Sequence, residues 1–259
     1  MESKIAQAIQ LRYSPVAVVL TNEKPEGAIQ FQEGRWGCVI AMLNGAAKGK
    51  IAVFNKKTFG CAGGGTGLGF GNTYENFPGG IEYFLSTGNK EFCNSEFGKN
   101  IAQQMPHLEH GEGYKKDPAL AEMFIDSLPM VDVPTEYVIF KPLEELLDDE
   151  NPSTIVFLVN PDQLSALVVL ANYARETNDN VVAPFGAGCH QIGIIPYKES
   201  ESKFPKATIG LTDITARKKV DKDILSFAVP YKMFLEMESN VEGSFLEKPE
   251  WLKIRERNQ

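Results

Sequence analysis

The sequence predicts a single α/β domain built on a mixed sheet, with two pseudo-repeated strand–helix–strand units and a helical insertion between them. Three observations predict it: short apolar strands alternate with helical patterns, the order of elements recurs in the second half, and no Gly/Ser linker divides the chain. Residues 1–259 are therefore expected to form one domain, with pseudo-repeats over about 12–75 and 136–215 and the insertion over about 78–130.

Residues 2–10 have the spacing of a short amphipathic helix, and Pro15–Leu20 reads as a buried strand closed by Thr21-Asn22. Cys38–Lys48 has helical spacing and is ended by Gly49, and Ile51–Phe54 is a short strand running into Gly60-Cys61. The second unit runs from strand Ile155–Val159 through helix Gln163–Arg175 and a turn at Asn178-Asp179-Asn180. It ends in strand Val181–Ala183 and Gly186-Ala-Gly-Cys189. Laying Cys38–Leu43 over Ser165–Leu170 leaves Cys61 and Cys189 one residue out of register, which suggests an internal duplication placing two cysteines at equivalent strand ends. Between the halves, Gly79–Thr87, Ser95–Gln104 and Ala119–Ser127 are expected helices, punctuated by Pro129, Pro134 and Asp148-Asp-Glu150. Later elements are strands near Lys206–Leu211 and Leu225–Val229, a helix at Tyr231–Met237 and a polar surface helix over Lys248–Gln259.

Composition narrows the function classes. A net charge of −8, with acidic residues spread along the chain, opposes binding to nucleic acid or an anionic membrane. The opening Met1–Gln10 mixes charges into a helical pattern and lacks the apolar run of an export signal, and no apolar run is long enough to span a bilayer. A cytoplasmic protein is expected. Its four cysteines are then reduced thiols, buried filler or ligands rather than a disulfide scaffold.

The most informative stretch is Gly60-Cys-Ala-Gly-Gly-Gly-Thr-Gly-Leu-Gly-Phe-Gly71, read as a glycine-rich loop that points backbone N–H groups at an anion. No Gly-Lys-Ser/Thr follows and no register gives Gly-x-Gly-x-x-Gly, so neither nucleotide fingerprint is present. With Cys61 at its head, the N–H groups of Gly63, Gly64 and Gly65 are instead expected to face a thiolate-bound cofactor. Cys38 follows Arg35-Trp-Gly37 at a helix start, where backbone N–H groups favour a thiolate. Cys189 sits in Gly-Ala-Gly-Cys-His, while Cys93 has no glycine neighbours and could be a filler thiol. The cysteine spacing matches neither ferredoxin nor structural zinc patterns, so tertiary folding would have to assemble any cluster. His107, His110 and His190 read as ordinary histidines or substitutes for a fourth thiolate; Arg12, Tyr13 and Arg35 read as packing residues or an anion site.

Pro15-Val-Ala-Val, Cys38 before a small-residue helix, Cys61-Ala-Gly-Gly, Cys189 and Phe227-Ala-Val-Pro-Tyr resemble the prokaryotic family called domain of unknown function 169. The resemblance covers nearly the whole chain, and Gly67-Leu-Gly69 shares it. It implies a cytoplasmic protein common in anaerobes and carries over Cys38, Cys61 and Cys189 as functional cysteines; the family name confers no activity.

Two functions fit these residues. In the first, Cys38, Cys61 and Cys189, with Cys93 or a non-cysteine fourth ligand, bind a [4Fe–4S] cluster with a redox or substrate-binding role, its partner an electron-transfer protein or a small molecule. In the second, paired cysteines act as acid and base in a cofactor-independent racemase or epimerase. A thiol-rich binding module without chemistry stays open, as does assembly into a homo-oligomer.

Overall fold

The computed structural model describes residues 1–257, so Asn258 and Gln259 at the end of the expected tail helix lie outside the described residues. The chain forms two compact units, one of residues 1–70 and 131–259, the other of residues 71–130.

The larger unit contains strands β1 Val16–Thr21, β2 Ala52–Phe54, β3 Tyr137–Pro142, β4 Thr154–Val159, β5 Val181–Val182, β6 Ala207–Gly210 and β7 Leu225–Pro230. They make one seven-stranded sheet in the order β2-β3-β1-β4-β7-β6-β5. Every pairing is antiparallel except β5 with β6. The sheet is therefore mixed, as expected. β3 is the strand that sequence reading missed, and it lies between β1 and β2.

Both faces of the sheet are covered, which is why β1 and β4 read as continuous apolar runs rather than alternating ones. Ala17, Val19, Ile155, Phe157 and Val159 face one core with helices α1 Lys4–Ala8, α9 Pro161–Asn172, α13 Tyr231–Ser239 and α14 Pro249–Glu256. Helix α9 starts on a capping box between Asn160 and Gln163, with Pro161 at its first turn. The α14 helix is less of a surface element than its polarity suggests, because Trp251 is buried and its indole N–H donates to the Ala8 carbonyl at 3.1 Å.

Val16, Val18, Val156, Leu158 and Ala228 face the opposite core, with α2 Val39–Ala46 and α10 Gly188–Ile192. Here too lie α3 Ala62–Gly67, packed against α10, and α11 Ile194–Ser200, packed over β6 and β7; α12 Ile214–Arg217 contributes Ala216 to this core. A pseudo-twofold between antiparallel β1 and β4 would put α2 and α9 on the same face. They cover opposite faces, so the duplication expected from laying residue 38 over residue 165 does not describe the packing.

The smaller unit is helical, as the sequence predicts for the insertion. Its helices are α4 Ile81–Phe84, α5 Lys90–Asn94, α6 Gly98–Gln104, α7 His107–His110 and α8 Pro118–Asp126. Among the described residues no helix is long and apolar enough to cross a membrane.

A thiol site at the starts of three helices

Residues 37–39 and 60–64 abut. A methyl group built on Gly60 would stand 2.5 Å from the Gly37 carbonyl oxygen, and one on Gly64 would stand 2.8 Å from a Val39 methyl. The Phe31 ring closes over both strands of chain, within 2.2 Å of a methyl position on Gly37 and 2.8 Å of one on Gly60. Gly60 also holds φ +85°, a left-handed conformation that side chains resist. Cys38, at the start of α2, and Cys61, at the start of α3, are thereby brought side by side, both half-buried.

The stretch after Cys61 is a helix, not the loop the glycines suggest. Cys61 is the cap of α3, and its sulfur accepts the Gly64 N–H at 3.3 Å, with the Gly63 N–H also favouring the thiolate. The Gly65 N–H is not available to a cofactor, since it donates to the Cys61 carbonyl at 2.9 Å. Each glycine in a helix interior costs about 1 kcal/mol relative to alanine. Close approach offsets that cost: a methyl on Gly64 would lie 2.6 Å from the Phe59 carbonyl oxygen, and one on Gly67 would lie 2.5 Å from the Cys189 Cβ.

Cys189 is the second residue of α10 and is buried. It packs on α3 at Gly67, and the next glycine, Gly193, would carry a methyl only 1.9 Å from the Gly67 carbonyl oxygen. Burial pushes the Cys189 thiol well above its ordinary range, and negative charge on Cys61, Cys38 and Asp213 pushes it further. Burial likewise raises Cys61 against the Gly64 N–H, which favours its thiolate, and Cys38 and Asp213 add to the rise. Cys61 and Cys189 therefore both feel the charge of Cys38 and Asp213, and Cys189 feels that of Cys61 as well. Among the described residues, no three His, Cys, Asp or Glu side chains are gathered as the ligands of a single metal ion would be.

The sequence matches the profile of the DUF169 family, described as uncharacterised ArCR, over residues 4–240. The chain belongs to the DUF169 family. No curated protein matches it, and no solved structure does.

The DUF169 match takes in all four cysteines, but they fall in different places. Cys93 is buried in α5 of the smaller unit, which also carries His107 and His110, both exposed on α7. His190 is buried beside Cys189, and burial lowers its pKa to about 4, so it is a neutral imidazole at pH 7. Arg12 and Tyr13 do not form an anion site: the Arg12 guanidinium stands 3.0 Å from an Asp221 carboxylate oxygen, and the Tyr13 hydroxyl donates to the same carboxylate at 2.6 Å. Arg35 is exposed in the loop before Cys38. Asp213 was not legible as a site residue. Its only sequence signal was Asp followed by a short helix, a pattern that serves many ordinary caps.

Proposed function

We propose that this DUF169 protein holds an iron–sulfur cluster, most simply [4Fe–4S], on the thiolates of Cys38, Cys61 and Cys189. One observation carries the reading: three cysteines distant in sequence sit at the starts of α2, α3 and α10, on one face of the sheet and within reach of one another's charge. The donor set fits the group. It is rich in soft sulfur, it is buried at Cys189 and half-buried at Cys38 and Cys61, and the Gly64 N–H donates to one of its sulfurs, an interaction of the kind that tunes cluster potentials. Binding iron would displace the thiol protons, so the raised pKa values of Cys61 and Cys189 would make loading pH-dependent rather than prevent it. When bound, the cluster supplies one-electron chemistry or an iron at which a small molecule can coordinate. The fourth position falls to a ligand beyond these three thiolates, and the partner is an electron-transfer protein or a small substrate.

The acid–base alternative draws support from the packing of Cys61's helix on Cys189's helix. Against it, a catalytic base must be deprotonated near neutral pH, whereas burial and neighbouring negative charge favour the protonated form of both thiols. The third thiol would also have no role.

The test is iron and sulfide content, with visible absorbance, of protein purified without oxygen and reconstituted with iron and sulfide. Cys38→Ser, Cys61→Ser and Cys189→Ser should each lower bound iron. Loss in Cys93→Ser assigns the fourth ligand, and retention assigns a non-cysteine one. Iron-free wild-type protein after reconstitution would overturn the cluster reading.

A further inference from the structure

We propose that Asp213 is a positioning residue for the thiol site, its carboxylate fixing the start of the Cys189 helix while setting one negative charge against the sulfurs. The inference rests on the thiol-site reading above and concerns a residue on none of the three cysteine-bearing segments.

The geometry is specific. One carboxylate oxygen of Asp213 accepts the Gly188 N–H at 3.1 Å, and the other accepts the Thr215 N–H at 2.9 Å. The second bond is an ordinary cap of α12. The first has no such local purpose: it reaches to the first residue of α10, whose N–H has no partner within its own helix, and fixes the residue before Cys189. Gly188 is confined from other sides as well, since a methyl there would lie 3.1 Å from Ile40 of α2 and 3.3 Å from Leu211.

The turn that delivers Asp213 is itself unusual. Leu211 is wholly buried and holds φ +59°, a left-handed conformation rare for a leucine and sustained only when the surroundings over-determine it. Thr212, between them, accepts a hydrogen bond at 2.8 Å from the side-chain amide of Gln191, one turn beyond Gly188 on α10. The same amide donates to the Pro184 carbonyl at 2.8 Å, tying the segment before α10 into the arrangement. Residues 211–213 thus grip α10 at two places, through the backbone at Gly188 and through the buried side chain of Gln191. The charge of Asp213 raises both Cys61 and Cys189, which places the carboxylate in the electrostatic surroundings of two of the three thiols. A negative group so placed disfavours a more reduced, more negative cluster and lowers its potential.

Two variants separate these roles from plain helix capping. Asp213→Ser keeps a good cap for α12 but is too short to reach Gly188, whereas Asp213→Asn removes the charge and keeps the reach with one acceptor oxygen, enough for the Gly188 N–H but not for the Thr215 N–H as well. The first measurement needs no cofactor: alkylation of Cys189 by iodoacetamide in the folded, metal-free full chain, followed by peptide mass spectrometry. Asp213→Ser should label Cys189 about tenfold faster than wild type, because the helix start opens locally, while Asp213→Asn should stay within about twofold. In reconstituted protein, Asp213→Ser should lose bound iron. Asp213→Asn should keep it and shift the reduction potential upward. Wild-type labelling rates in Asp213→Ser would overturn the positioning role, and an unshifted potential in loaded Asp213→Asn would overturn the charge role. If wild-type protein takes up no iron, the cluster reading fails by itself, and the alkylation rates still decide whether Asp213 holds Cys189.

Discussion

Gly67 and Cys189 touch so closely that a single methyl group at position 67 would stand 2.5 Å from the Cys189 Cβ and 2.6 Å from its carbonyl carbon. The absence of a side chain at Gly67 is what allows α3 and α10 to meet. Gly67→Ala should therefore force the two helices apart and destabilise the fold by about 1–3 kcal/mol, the usual cost of overpacking. Urea unfolding measures the loss. Reconstitution should show reduced iron in the variant while far-UV circular dichroism stays close to wild type. Unchanged stability would mean that the helices slide without cost, and that their contact does not set the thiol geometry.

Gly64 makes a parallel test on the other side of α3. A methyl there meets the Phe59 carbonyl oxygen at 2.6 Å, so Gly64→Ala should displace the N–H that Cys61's sulfur accepts. The cluster absorbance of loaded Gly64→Ala should bleach faster in air than that of wild type. Equal bleaching would reduce the glycine to a packing residue.

Trp36 offers an optical reporter. It is 69% exposed and two residues before Cys38, while the chain's other tryptophan, Trp251, is buried in the opposite core. Loading with iron and sulfide should quench tryptophan emission by energy transfer to the cluster. Trp36→Phe should remove most of that quenching. Quenching that survives the substitution would place the bound iron elsewhere.

His190 sets an acid limit on the metal-free fold. Its pKa is lowered by burial from 6.5 to about 4, so the unfolded imidazole takes a proton as pH falls below 6.5 while the folded one does not until about 4. This contribution is complete above pH 6.5 and is lost on acidification toward pH 4, by about 3 kcal/mol in all. The urea midpoint of wild type should fall across that window, and His190→Gln should show a flatter pH dependence over it. Parallel curves for the two proteins would show that His190 is protonated without penalty.

The elements legible in the sequence were those whose burial is simple. Ile155–Val159 and Leu225–Val229 read as strands because they are short, mostly apolar runs buried on both faces, and Gln163–Arg175 read as a helix in a region that the structure starts on a capping box at Asn160. β3 escaped because Pro134 and Pro142 flank a run of four apolar residues, Tyr137–Phe140, that looks like a punctuated connection until β1 and β2 are placed on either side. The glycines after Cys61 argue for a loop on propensity alone. Only Val39, Phe59 and Cys189, pressing from other parts of the chain, explain why a helix there must lack side chains. Asp213 is a tertiary partner of Gly188 across 25 residues, and no local pattern announces such a bond.

The place where the helical segment leaves and re-enters the larger unit carries a further meaning. Phe70 and Asp132 form a β-bridge, and the Val133 N–H donates to the Gly69 carbonyl at 2.8 Å, so the chain departs and returns through one clasp directly after α3. Closing that clasp around a long or a short excursion differs little in entropy, because the cost grows only with the logarithm of length. Evolution could exchange, shorten or enlarge residues 71–130 at small thermodynamic expense to the frame that carries Cys38, Cys61 and Cys189.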